Sequence, residues 1–310
     1  MTSPQDNQTK KIFIDGEAGT TGLEIREKLG NVAGAQIISI DPARRKDAQA
    51  RREMMEQADL VVLCLPDDAA REAVAMADAL PGKGPRVLDA STAFRTDHAW
   101  VYGFAEMEPG QAQMIAAADR VANPGCYPTG AIALIRPLVA KGLLPEDYPI
   151  TINAVSGYSG GGRQMIEKFE AGEAPSFELY GLNFSHKHLP ELMKYSGLAR
   201  RPLFVPSVGD YRQGMLVSIP LHLDLLRGAT AADLQGTLAA WYGDGGLVRV
   251  VPTQDETRIE PEALNGTDQM ELRVYAHPEH GQAVLVARLD NLGKGASGAA
   301  VQNIRLMLDL

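Results

Sequence analysis

The chain holds two cysteines, and their settings differ. Cys64 sits in VVLCL, an apolar run that reads as a buried strand. Cys126 lies in ANPGCYPTG, with a proline–glycine turn before it and an apolar, helix-like stretch after it. A thiol at a helix N-terminus meets the positive end of the helix dipole, which favours the thiolate. Thiolate is the competent nucleophile for acyl chemistry. Cys126 is therefore read as catalytic and Cys64 as structural. Such a nucleophile needs a group that moves protons near neutral pH. HKHLPEL supplies His186 and His188, with Glu191 following. The pair could also be two surface histidines or part of a metal site. A metal needs further ligands, however, and His98, His222, His277 and His280 show no ligand spacing. No metal is expected.

A second chemical signal is GEAGTTG, with Gly16, Gly19 and Gly22 spaced GxxGxxG between a strand-like KIFID and a helix-like LEIREKL. Glycine permits a tight turn and close approach of the backbone to a pyrophosphate, whose charge suits a helix N-terminus. The spacing differs from GxGxxG, so a tight turn without a ligand is the competing reading. Gly16, Gly19, Thr20, Thr21 and Gly22 are the candidate cofactor contacts. Asp41, after the second strand, would bond a ribose hydroxyl and favour NAD. Arg44 and Arg45 could instead grip a 2′-phosphate, and the balance leans towards NADP.

These residues need a frame. Of 310 residues, 45% are hydrophobic and 22% charged, which excludes a disordered or fibrous chain. The net charge of −9 lacks the cationic footprint of a nucleic-acid or anionic-membrane binder. Two cysteines are too few for a disulfide framework. The polar start, MTSPQDNQTK, has no apolar signal core, and no run approaches a membrane span. A soluble cytoplasmic protein is the expectation. Up to Ala90, strands alternate with helix-prone stretches, which implies a doubly wound parallel sheet of α/β class. After about residue 125 the pattern changes. TINAVSG, LFVPSV, GMLVSIPLHLDL, LVRVV, MELRVYAH and QAVLVARLDNL suggest an α+β domain on a mixed, largely antiparallel sheet. The reading is a dinucleotide-binding domain over 1–125, completed by a C-terminal helix over 292–310, and a catalytic and oligomerisation domain over 126–291.

At ANPGCYPTG, with GEAGTTG before it and HKHLPEL after it, the chain resembles the N-acetyl-gamma-glutamyl-phosphate reductase family of arginine biosynthesis, above all its shorter form. DASTAFR, VSGYSGGGR, PSVGDYRQGMLVSIPL and DNLGKGASGAAVQN also look like family blocks. The resemblance implies that Cys126 attacks an acyl phosphate and expels phosphate, NADPH then reducing the thioacyl group to a semialdehyde. It implies His186 or His188 as acid–base, with Glu191 orienting it. It makes Ser91 a candidate for the cofactor, Arg95 and Arg163 for substrate anions, and Asn291 and Lys294 neighbours of nicotinamide and phosphate. It also implies a homo-oligomer, a dimer or tetramer. Two departures stand out: GEAGTTG lacks the longer form's serine before the second glycine, and Leu134 fills a usually small position. Sister enzymes acting on aspartyl or carrier-bound aminoadipyl phosphate are the near alternatives. A non-catalytic dinucleotide sensor and a cysteine hydrolase are the distant ones.

Overall fold

The computed structural model describes residues 9–45, 47–253 and 256–310, so most of the polar N-terminal tail lies outside the described residues. The chain divides into two compact units. One holds the N-terminal segment to Gly103 together with Ala112–Asn123 and Ala299–Leu310; the other holds Phe104–Gln111 and Pro124–Gly298.

In the first unit, β1 (Lys10–Asp15), α1 (Thr20–Leu29), β2 (Ala35–Ile38), α2 (Ala48–Gln57), β3 (Leu60–Leu63), α3 (Asp67–Asp78), β4 (Arg86–Asp89), β5 (Val101–Tyr102), α4 (Gln111–Ala117) and β6 (Arg120–Ala122) follow in chain order. The six strands form a parallel sheet in the order β2-β1-β3-β4-β6-β5. Val61, Leu63, Val87 and Phe13 are buried in its core with Ala70 and Ala73 of α3. Strands buried on both faces read as continuous apolar runs, which is why KIFID and LVVL were legible. The chain leaves β1 for β2 on one side and returns to β3 on the other. That reversal marks where doubly wound sheets bind ligands, at the strands' carboxyl ends. Gly16 stands there.

Cys64 follows β3 and is not part of it as its apolar surroundings suggested; its N–H donates to the Asp15 carbonyl at 2.8 Å. Burial, with Asp89 and Asp15 adding to it, pushes its thiol up to about 12. A thiol held so far up stays protonated at neutral pH.

The second unit contains α5 (Cys126–Ala140), β7 (Thr151–Gly157), α6 (Arg163–Glu170), β8 (Phe177–Leu179), α7 (Leu189–Ser196), β9 (Leu203–Gly209), β10 (Met215–His222), α8 (Ala231–Tyr242), β11 (Val248–Val250), β12 (Met270–His277) and β13 (Gln282–Leu289). Its seven strands run β11-β12-β13-β10-β7-β9-β8, mixed in direction: β7 and β9 are parallel, and β10 is antiparallel to both its neighbours. Side chains alternate along the strands. Met215, Val217, Ile219 and Leu221 of β10 are buried, whereas the residues between them are not. α5 packs against this buried face, and Gly130 makes the approach possible: a Cβ there would stand 2.9 Å from Val217 Cγ2. The C-terminal helix α9 (Gly298–Leu308) buries Ala300, Ile304, Met307 and Leu308, the expected stripe. Asn303 ties it to the first unit, donating to the Gly103 carbonyl at 2.8 Å.

Candidate functional site

Cys126 is the first residue of α5, whose N-cap is Gly125 in extended conformation with no side-chain cap. The helix's first turn carries no acidic residue. From Pro124 to Ile135 every residue but Cys126 is buried. The fold thus leaves one half-buried sulfur at the head of an otherwise buried first half of the helix, where the dipole favours negative charge. Pro128 falls in the first turn, where a missing N–H costs nothing.

The HKHLPEL segment meets this turn. His188 is the N-cap of α7 and Glu191 lies in its first turn, 1% exposed. Glu191 Oε2 accepts the Gly125 N–H at 3.0 Å, so the carboxylate holds the residue immediately before Cys126. Its other oxygen lies 4.0 Å from His188 Nε2, at charge-pairing range and too far for a hydrogen bond. The sequence reading gave Glu191 the orientation of a histidine; the geometry adds a direct grip on the cysteine's turn.

His186 sits in a cage of rings, 4.7 Å from the His188 centroid, 5.1 Å from Phe204 and 5.6 Å from Tyr180. Its Nδ1 accepts the His188 N–H at 3.2 Å, which puts the neutral ring's proton on Nε2. Burial, helped by the Lys187 charge, lowers its pKa to about 4. His186 is therefore a neutral donor at pH 7. An unfolded histidine binds its proton with a pKa near 6.5. Stability from this position is therefore full above about pH 6.5 and is lost as the pH falls towards 4, where the unfolded chain holds the extra proton. Asparagine can still accept the His188 N–H without titrating. Urea midpoints of His186→Asn should accordingly fall less than the wild type's between pH 6.5 and 4. Parallel curves would refute the assignment.

Three neighbours were not singled out from sequence. Tyr127, next to Cys126, donates to the Ser207 carbonyl at 2.8 Å, and Tyr180 donates to the Tyr127 hydroxyl at 3.2 Å. Burial raises both phenols, Tyr180 to about 12, so both stay protonated donors. Tyr180 follows the short edge strand β8, which has little periodicity to betray it. Gly295 lies against Cys126: a Cβ there would stand 3.0 Å from the cysteine Cβ.

The remaining candidates divide between structural struts and open positions. Asn291 accepts the Gly214 N–H at 2.8 Å and donates to Ser159 Oγ at 2.9 Å, bracing the loop of VSGYSGGGR. Lys294 is 1% exposed and its Nζ bonds both Glu106 oxygens, at 2.9 and 2.7 Å. Arg163 opens α6 after Gly162 and is exposed. In the first unit, Ser91 donates to Asp89 Oδ2 at 2.7 Å. Arg95, 8% exposed, donates to the Asn123 carbonyl at 2.9 Å. Arg44 bonds Asp47, and Arg45 is exposed at the end of a 3-10 turn.

The glycine turn fits a dinucleotide. Gly16 has φ +91°, and a Cβ there would stand 2.4 Å from the Cys64 carbonyl oxygen. A Cβ on Gly22 would come within 2.7 Å of the Gly16 oxygen and Glu17 Cα. Gly19 caps α1 without a side chain, and the first turn carries no acid. Thr20, Thr21 and Gly22 form that turn, with the N-terminal N–H groups that an anion can use. Among the described residues no three His, Cys, Asp or Glu side chains group to hold a metal.

A nucleotide cradle at a sheet's switch point, and a half-buried cysteine opening a buried helix, are features that an oxidoreductase with a thiolate nucleophile would use. The chain belongs to the semialdehyde dehydrogenase family: its NAD binding domain model matches residues 12–115 and its dimerisation domain model matches residues 126–291. The chain is 52% identical to N-acetyl-gamma-glutamyl-phosphate reductase 2 of Pseudomonas putida over 307 residues, 97% of either chain. It is 54% identical to the N-acetyl-gamma-glutamyl-phosphate reductase of a Chelativorans species, covering 97% of this chain and 98% of that one. Among solved structures, aspartate semialdehyde dehydrogenase II of Vibrio cholerae superposes with a TM-score of 0.72 at 15% identity, over 97% of this chain and 99% of that one. That likeness speaks for the fold alone.

Proposed function

We propose that this chain reduces N-acetyl-L-glutamyl 5-phosphate to N-acetyl-L-glutamate 5-semialdehyde, with release of inorganic phosphate, as a step of arginine biosynthesis. The observation that carries the reading is Cys126, half-buried where its neighbours from Pro124 to Ile135 are buried, with Gly125 before it held by Glu191. Relatives above 50% identity over nearly the whole chain supply the substrate.

His188 takes the thiol proton, and the Cys126 thiolate attacks the acyl carbon. A carbon–sulfur bond forms, the carbon–oxygen bond to phosphate breaks, and His188 returns its proton to the departing phosphate. NADPH, when bound, supplies the hydride that reduces the thioacyl carbon. The tetrahedral oxyanion that forms collapses to the aldehyde and the Cys126 thiolate, which takes up a proton from solvent through His188 to restore the thiol. The neutral His186, its proton on Nε2, is unsuited as base and meets the His188 ring edge-on, which helps to fix that ring. Of the two histidines, His188 is therefore the acid–base. An acyl phosphate is already activated, so its displacement by a thiolate needs no metal.

Self-association belongs to the same reading. Phe177, Leu179, Leu203 and Val284 are exposed on the second unit's sheet, more apolar surface than a solvated strand face calls for. A homo-oligomer, dimer or tetramer, covers them. A cytoplasmic location goes with this assignment; among the described residues no helix is long and apolar enough to cross a membrane.

The test runs the reaction backwards. Semialdehyde, NADP⁺ and phosphate should give NADPH absorbance that vanishes when phosphate is omitted, and aspartate semialdehyde should turn over far more slowly. Phosphate-independent oxidation would identify a hydrolytic aldehyde dehydrogenase instead.

A further inference from the structure

Both arginine candidates of the sequence reading lie beyond a nearer cluster. Ser39 follows β2 directly, at the strand's carboxyl end. Arg26 reaches it from α1, its guanidinium 2.8 Å from Ser39 Oγ. The same guanidinium stands 2.6 Å from Glu17 Oε2, and Ser39 Oγ donates to that oxygen at 3.0 Å. A cation and a hydroxyl thus converge on one anionic oxygen beside the glycine turn. Doubly wound folds lay the adenosine ribose over the end of the second strand, where NAD readers place a carboxylate. Here that position carries a hydroxyl backed by a guanidinium. The first carboxylate downstream, Asp41, is bound to the Ala43 N–H at 2.9 Å as the cap of a 3-10 turn. Arg44 is engaged by Asp47 at 3.2 Å.

We infer that Arg26 and Ser39 read the 2′-phosphate of NADP(H) and set the preference for it over NAD(H). Glu17 stands in for that phosphate, holding both donors in the arrangement an anion requires and giving them up when the nucleotide arrives. The planar fork of Arg26 suits a phosphate better than an ammonium would. The inference rests on the dinucleotide reading above and adds the residues that choose between the two coenzymes.

Calorimetric titration of the purified protein with NADP⁺ and with NAD⁺ tests it without turnover. Arg26→Gln should weaken NADP⁺ by about 10- to 100-fold, the worth of a lost charge-assisted bond, with NAD⁺ affected less than about threefold. Ser39→Asp should lower the NADP⁺ to NAD⁺ preference further, because a carboxylate there repels phosphate and accepts a ribose hydroxyl. Adenosine 2′-monophosphate should lose affinity for Arg26→Gln in the same proportion as NADP⁺. An unchanged preference in both variants overturns the inference, as does a preference that responds to Arg45→Gln but not to Arg26→Gln. A wild-type protein that binds neither coenzyme would instead sink the reductase reading itself.

Discussion

Cys126→Ser should lower kcat/KM with semialdehyde, NADP⁺ and phosphate by at least about 10⁴-fold, since an alcohol without a strong base is a poor acyl acceptor. The side chain is partly exposed and the replacement nearly isosteric, so the melting temperature should stay close to wild type. Labelling at neutral pH gives the matching chemical result. A thiol pushed up to about 12, as Cys64 is, exists as thiolate at only about one part in 10⁵ at pH 7. Iodoacetamide should therefore mark Cys126 alone, seen as a single carbamidomethyl group by peptide mass spectrometry. Turnover surviving in the serine variant would end the thioacyl route. Equal labelling of Cys64 would remove the contrast on which the choice of nucleophile rests.

Glu191 should show two separable losses. Its Oε2 accepts the Gly125 N–H, and its Oε1 faces His188 at 4.0 Å. Glu191→Ala leaves a buried N–H without its acceptor, which costs about 1–3 kcal/mol of folding stability. It also frees the turn that aims Cys126, and a displacement of about 1 Å can lower a rate by about 10²-fold. Glu191→Gln retains an oxygen for Gly125 and removes the charge that supports an imidazolium on His188. The glutamine variant should thus unfold near the wild-type urea midpoint yet lose most of the rate. The alanine variant should lose both. kcat and KM measured beside the urea midpoints distinguish the cases: full activity in the glutamine variant would confine Glu191 to holding the turn, and full activity in the alanine variant would remove it from the mechanism.

Much of this site can be read along the chain because its parts are local. A glycine turn between a strand and a helix, and a cysteine after Pro-Gly at the head of an apolar run, each lie within about ten residues. Short-range sterics and helix-end electrostatics act on that scale. The parallel strands were legible for a similar reason, since burial on both faces leaves uninterrupted apolar runs. Local signals failed where elements were short or held by distant partners. β5 is two residues long and β8 three, too brief for periodicity. α8 carries a weak signal despite the capping box between Thr230 and Asp233, because Gly236 interrupts its helical pattern.

The amino-acid order alone therefore determined the two kinds of domain, and it singled out the proposed nucleophile and the segment proposed to hold its proton carrier. Only the folded chain distinguishes the surroundings of the two histidines, on which the proposed choice of His188 rests. Nothing in HKHLPEL tells that the first ring accepts the second's backbone N–H and is held neutral, while the second faces the carboxylate. Nor does spacing tell that Lys294 turns inward to Glu106, or that Arg26 and Ser39 converge on Glu17. Each of these choices depends on which polar atom a distant part of the chain brings within about 3 Å, a distance that hydrogen bonding demands and sequence separation does not encode.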